Sequence, residues 1–122
     1  MSNNYTLYAW DISYFSGKMQ AYMAYKEIPF DLVSPHWNTM VNTIYPATGL
    51  MKVPVVQTPD GLWIQDSTPM IDWFEERFTQ SEVIPHDPYQ AFFCRLLEDY
   101  ADEWLWRSAL HYRWSFEEDA QL

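Results

Sequence analysis

Lys52-Val53-Pro54-Val55-Val56, with the residues that follow it through Gln65, decides the fold. Val55-Val56-Gln57-Thr58 and Leu62-Trp63-Ile64-Gln65 are short β-favouring runs, and they flank Pro59-Asp60-Gly61, whose residues suit a tight turn. The stretch therefore reads as strand, turn, strand. Immediately after it, Asp66-Ser67-Thr68 offers capping oxygens and Pro69 suits a first helical turn. Met70, Ile71, Phe74 and Phe78 then recur at helical spacing, so a helix that stops near Phe78 is expected.

Toward the N-terminus, Tyr5 to Trp10 has the composition of a strand, and Asp11, Ser13 and Ser16 supply loop and helix-start chemistry. Met19, Tyr22 and Met23 place a helix over roughly Ser16 to Glu27, which Ile28-Pro29 closes because the residue before a proline avoids the α region. Phe30-Asp31-Leu32-Val33 reads as a short strand, and the poorly periodic segment from Ser34-Pro35 to Tyr45 as one irregular helix. Toward the C-terminus, Thr79 to Pro88 is polar and carries Pro85 and Pro88, the mark of a linker. Beyond it Phe93, Leu97, Tyr100 and Trp104 follow a helical repeat beside Phe92, Leu96 and Leu105, with Glu98, Asp99, Asp102 and Glu103 on the other side. One long amphipathic helix from Tyr89 to Trp114 is expected. It carries more apolar surface than a lone helix hides against a small domain, and Ser115 to Leu122 is too short to cover it. The expectation is therefore a chain that is truncated or that needs a partner. No internal repeat or low-complexity tract is present.

Composition narrows the function classes. The chain has 122 residues, 48% hydrophobic and 19% aromatic, which excludes the signature of a disordered chain. Its formal net charge of −10 argues against nucleic acid or an anionic membrane as partner, since only Arg107 and Arg113 lie near each other. The single cysteine, Cys94, forms no internal disulfide, and the sequence contains neither a membrane-length apolar run nor a leader, which together favour a reducing, cytoplasmic setting.

Three motifs in order resemble the glutathione S-transferase family. Ser13-Tyr14-Phe15-Ser16-Gly17-Lys18-Met19 is similar to the S-P-[FY]-S-x-K-[VM] start of that family's first helix. Tyr45-Pro46 followed by Lys52-Val53-Pro54-Val55-Val56 resembles N-P-x-G-K-V-P-V-L, and Gln65-Asp66-Ser67-Thr68-Pro69-Met70-Ile71 resembles the E-S-x-x-I cap of its third helix. Ile84-Pro85-His86-Asp87-Pro88 resembles the linker into its helical domain. The resemblance implies an α/β fold: a thioredoxin-like βαβ-α-ββα domain over residues 1–80, then a linker and the first helix of an incomplete all-α domain over residues 81–122. It also implies glutathione as co-substrate, a hydrophobic electrophile as second substrate, and a homodimer.

The resemblance assigns roles residue by residue. Ser13 would donate to the glutathione sulfur and stabilise the thiolate, with Ser16 as the fallback; read without the family, a serine before a helix is a plain cap. Val53-Pro54 would be a cis peptide whose Val53 backbone pairs with the cysteinyl part of glutathione, where the alternative is a trans, strand-initiating proline. Asp66 and Ser67 would hold the γ-glutamyl end, against ordinary capping. Lys52 would reach the glycyl carboxylate, against a merely solvated lysine. Two positions depart from the pattern: Tyr14 replaces a proline and Asp66 a glutamate one methylene longer.

Other candidates take structural readings. Cys94 is a packed thiol, Tyr8 a strand residue rather than a catalyst, and Trp104 to Trp114 a core or interface face. His36, His86 and His111 share no ligand spacing, so no metal site is expected. The alternatives to a serine-type glutathione transferase are a non-catalytic dimerisation or protein-interaction module of the same fold and a glutaredoxin-like dithiol enzyme. Ser13 and Ser16 stand where the last would need its two cysteines.

Overall fold

A computed structural model describes residues 4–121; residues 1–3 and 122, the outer ends of the two expected domains, lie outside the described residues. The chain divides into two compact units, Met1–Glu82 and Val83–Leu122. In the first, β1 (Tyr5–Tyr8), α1 (Tyr14–Tyr25) and β2 (Phe30–Val33) form a βαβ unit. A helical segment follows, made of α2 (Trp37–Thr39), a π-helical stretch Met40–Ile44 and α3 (Tyr45–Thr48). The hairpin β3 (Val55–Gln57) and β4 (Trp63–Gln65) leads into α4 (Ser67–Glu75). The sheet order is β2-β1-β3-β4, with β1 and β2 parallel and both other pairs antiparallel. This is the thioredoxin-like arrangement that the motif resemblance implies.

Successive strand residues face opposite sides of the sheet, and helices cover both. Tyr5 meets Phe74 of α4 edge-on at 5.1 Å, and Tyr22 of α1 packs on the same ring, so α1 and α4 share the face that carries Tyr5, Leu7 and Val56. The other face carries Tyr8, Val55 and Trp63, which pack with Met40 and Ile44 of the π-helical stretch. The hairpin turn is held by Thr58, whose backbone N–H donates to the Leu62 carbonyl and whose hydroxyl accepts from the Leu62 N–H, with Gly61 at φ 91°. That positive φ is why glycine stands there.

Several boundaries differ from the sequence reading. α1 begins two residues earlier, because Ser13 caps it, and ends at Tyr25; Glu27, at φ 55°, turns the chain in the left-handed region before Ile28-Pro29 is reached. α4 ends at Glu75 rather than near Phe78, with the Phe78 N–H still donating to the Phe74 carbonyl. The irregular helix spans 37–48, its irregularity being the π-helical stretch.

The second unit is helical from Pro88 to Trp114, as α5 (Pro88–Tyr100), a second π-helical stretch Ala101–Leu105 and α6 (Trp106–Trp114), followed by a short α7 (Glu117–Ala120). Asp87 caps α5 through the N–H groups of Tyr89 and Gln90, and Pro88 occupies the first turn. None of this unit's described residues is buried, and Phe92, Phe93, Leu96, Leu97, Tyr100 and Trp104 are all exposed.

Candidate functional site

The register brings the motif residues to one edge of the sheet. Tyr8, Val55 and Gln65 form a row across β1, β3 and β4, at the C-terminal ends of the two outer strands of this trio and the start of the middle one. Beyond that row the chain continues into Ala9–Ser13, comes back through Val53-Pro54, and leaves through Asp66-Ser67. The N-termini of α1 and α4 open from the same edge, so the positive ends of two helix dipoles are directed there.

The loop ahead of Ser13 is tied down by hydrogen bonds. The Trp10 N–H donates to Ser16 Oγ at 3.2 Å, the Trp10 indole donates to the Pro35 carbonyl at 2.9 Å, and the Ser13 N–H donates to the Trp10 carbonyl at 3.0 Å. Ser13 itself is half-buried, with φ −85° and ψ 121°, and its Oγ accepts from the Ser16 N–H at 3.2 Å. A capping hydroxyl uses a lone pair, so its proton stays available to a second acceptor. Ser16 is fully buried, and its Oγ accepts from the Trp10 N–H, which ties the loop to α1. No proline is needed at position 14 to shape this turn; Tyr14 stands exposed as the first residue of α1.

The Val53-Pro54 peptide is cis, and Pro54 is buried while Val53 packs against the Met40–Ile44–Val55 cluster. Lys52 is exposed in the loop that precedes them. At the other connection Asp66 has φ 73° and ψ 123°, a backbone region that a residue with a Cβ rarely enters. Its carboxylate makes no capping hydrogen bond although it holds the N-cap position, so the ordinary capping role is not the one it performs. Ser67 is buried at the first turn of α4. An outlier of this kind persists where surrounding structure over-determines it, and such residues cluster at ligand sites.

Tyr8 behaves as a strand residue: it stacks on Trp63 at 5.4 Å, and burial raises its phenol above the ordinary value. Cys94 is half-buried on α5, its thiol directed at the Val83 carbonyl at 3.7 Å. Among the described residues no group of three or more His, Cys, Asp and Glu side chains is placed to hold a metal ion, and no helix is long and apolar enough to cross a membrane.

Two features escaped the sequence reading. Lys26, which has no exposed side-chain surface, donates to Glu75 at 2.7 Å and to the Phe78 carbonyl, and Tyr22 donates to the same Glu75 oxygen. A lysine at the end of an amphipathic helix reads as solvated; only its position four residues after the apolar Tyr22 signals otherwise. The second is Gln65, whose Oε1 is shut off from solvent without a hydrogen-bond partner among the described residues.

A family model described as the N-terminal domain of glutathione S-transferase matches residues 7–82 of this chain. Glutathione S-transferase U2 of Arabidopsis thaliana is 25% identical over 95 residues, covering 75% of this chain and 41% of that protein. A glutathione S-transferase of Methylobacterium radiotolerans, solved in complex with glutathione sulfonate, has 27% identity and a TM-score of 0.74 over 81% of this chain and 47% of its own. One from Methylobacillus flagellatus, with glutathione bound, has 25% identity and a TM-score of 0.72 over 81% of this chain and 49% of its own. The chain thus spans about half the length of these relatives. With a four-stranded β2-β1-β3-β4 sheet, the three motifs gathered at one edge of it, and a family model covering most of the first unit, this chain belongs to the glutathione S-transferase family.

Proposed function

We propose that residues 1–80 form a glutathione-binding domain in which Ser13 stabilises the glutathione thiolate for transfer to a hydrophobic electrophile. A thiol is mostly protonated at neutral pH, so the site must favour the charged form. The observation that carries this reading is the Ser13 hydroxyl: it is fixed at the mouth of α1 by the Ser16 N–H, it keeps its proton to donate, and it sits where the helix dipole favours an anion. The Methylobacterium relative in complex with glutathione sulfonate and the Methylobacillus relative with glutathione bound support glutathione as the ligand. In this reading Val53, ahead of Pro54, meets the cysteinyl part, Asp66 pairs with the γ-glutamyl ammonium, Ser67 and the α4 N–H groups meet its α-carboxylate, and Lys52 reaches the glycyl carboxylate. The working form is a cytoplasmic homodimer.

Titration of glutathione into wild type and Ser13→Ala, read by binding heat and by thiolate absorbance, tests the assignment. Ser13→Ala should keep binding within about threefold yet lose the thiolate signal at pH 7, with conjugation slowed on the order of 10²-fold, the usual effect of removing one donor to a developing anion. A full thiolate signal in the Ala variant removes Ser13 from the role.

A second reading, a non-catalytic interaction module, draws on the exposed apolar side chains of α5, Phe92, Phe93, Leu96 and Leu97. Absence of glutathione binding in the wild type, together with a stable protein complex indifferent to Ser13→Ala, would select it.

A further inference from the structure

Gln65 is the last residue of β4, directly opposite Val55 and one residue before Asp66. Strand alternation puts it on the Trp63 face of the sheet, in the row of residues nearest the edge where Ser13, Val53 and Asp66-Ser67 converge. Its Oε1 is desolvated and accepts no hydrogen bond among the described residues. Buried side-chain oxygens are nearly always paired, so an unpaired one in the row beside a binding edge calls for a donor that arrives from outside.

We propose that Gln65 is a further glutathione-contacting residue, its side-chain oxygen accepting a peptide N–H of the bound tripeptide. The inference rests on the glutathione reading above. A carboxamide oxygen is an acceptor only, which restricts the partner to a donor. Glutathione bound as the thiolate carries two kinds, since its sulfur accepts from Ser13: its ammonium, matched to the Asp66 carboxylate, and its two peptide N–H groups. The peptide groups are the donors left for Gln65. Binding then relieves a dehydrated acceptor, so this contact contributes in the complex and is absent from the free chain.

The test is isothermal titration of glutathione into the whole chain as wild type, Gln65→Met and Gln65→Glu, with thermal melts of each ligand-free protein. Met matches the length of Gln and lacks the acceptor, whereas Glu keeps an oxygen at the same reach. Gln65→Met should raise the glutathione Kd about tenfold, the ceiling for one neutral hydrogen bond, with the ligand-free Tm unchanged or higher. Gln65→Glu should bind more tightly than Gln65→Met. An unchanged Kd in Gln65→Met overturns the assignment, as does a Met variant whose ligand-free Tm falls or whose fold is lost by circular dichroism, because the oxygen then has a partner, protein or buried water, within the fold. Failure of wild type itself to bind glutathione overturns the parent reading as well, and is distinguished by the unaltered protein alone.

Discussion

Ser13 and Asp66 both close a strand-to-helix connection, yet they spend their side chains differently. Ser13 adopts an extended backbone and caps α1, while Asp66 holds φ 73° and leaves its carboxylate out of the cap. The sequence identifies both as N-terminal helix residues, since Ser and Asp are favoured there for their oxygens. It does not say which one bends into the left-handed half of φ, because that depends on how β4 must leave the sheet to enter α4. Asp66→Gly supplies an experiment at this scale. Glycine enters positive φ without a Cβ clash, so the variant should gain about 1 kcal/mol in urea denaturation while binding glutathione more weakly than wild type. A variant that is less stable would show that the Asp66 side chain supports the fold rather than the ligand.

Between elements, the largest polar feature is the bridge from α1 to α4. The Lys26 ammonium and the Tyr22 phenol both donate to one Glu75 oxygen, and Lys26 also binds the Phe78 carbonyl beyond the end of α4. Breaking a buried pair from one side strands the other charge, so Glu75→Leu should cost about 3 kcal/mol, and Lys26→Met combined with it should recover most of that loss. Equilibrium denaturation of the single and double variants checks this, and an additive double variant would refute the pairing. The Tyr22 phenol lies above its ordinary value of 10.0, first through burial, then through its hydrogen bond to Glu75 and the negative charges of Glu75 and Asp72. Unfolded, it ionises near 10; folded, it keeps its proton to higher pH. The unfolded chain therefore binds fewer protons above that point, so the contribution is fully present below pH 10 and is lost as the pH rises further. Tyr22→Phe should flatten this alkaline decline in a stability profile against pH. The helix periodicity of α1 marks Met19, Tyr22 and Met23 as inward and sets Lys26 one turn beyond Tyr22, but it does not identify the carboxylate, 49 residues away, that Lys26 reaches.

Across the molecule, the two units differ in how far they conceal their apolar residues. The first buries Leu7, Met19, Met23, Ile44, Val55, Val56, Met70 and Phe74. The second leaves Phe92, Phe93, Leu97 and Trp104 exposed on a helical run with two π-helical to α-helical junctions. The change from one unit to the other falls after Glu82, within the polar, proline-containing stretch from Thr79 to Pro88. Much of this was written locally in the chain. Pro59-Asp60-Gly61 determined the hairpin, the Ser13 capping oxygen and apolar spacing determined α1, apolar spacing after Pro69 determined α4, and Asp87-Pro88 determined the start of α5, because turns and helix ends depend on φ preferences and hydrogen bonds within a few residues. Tertiary structure alone decided that Ser16 is buried and accepts from the Trp10 N–H, that Lys26 is buried, that Asp66 is at positive φ, and that Gln65 Oε1 is dehydrated beside the edge from which α1 and α4 open. Each of those depends on which distant strand or helix lies opposite, a relation that only chain closure into the β2-β1-β3-β4 sheet supplies.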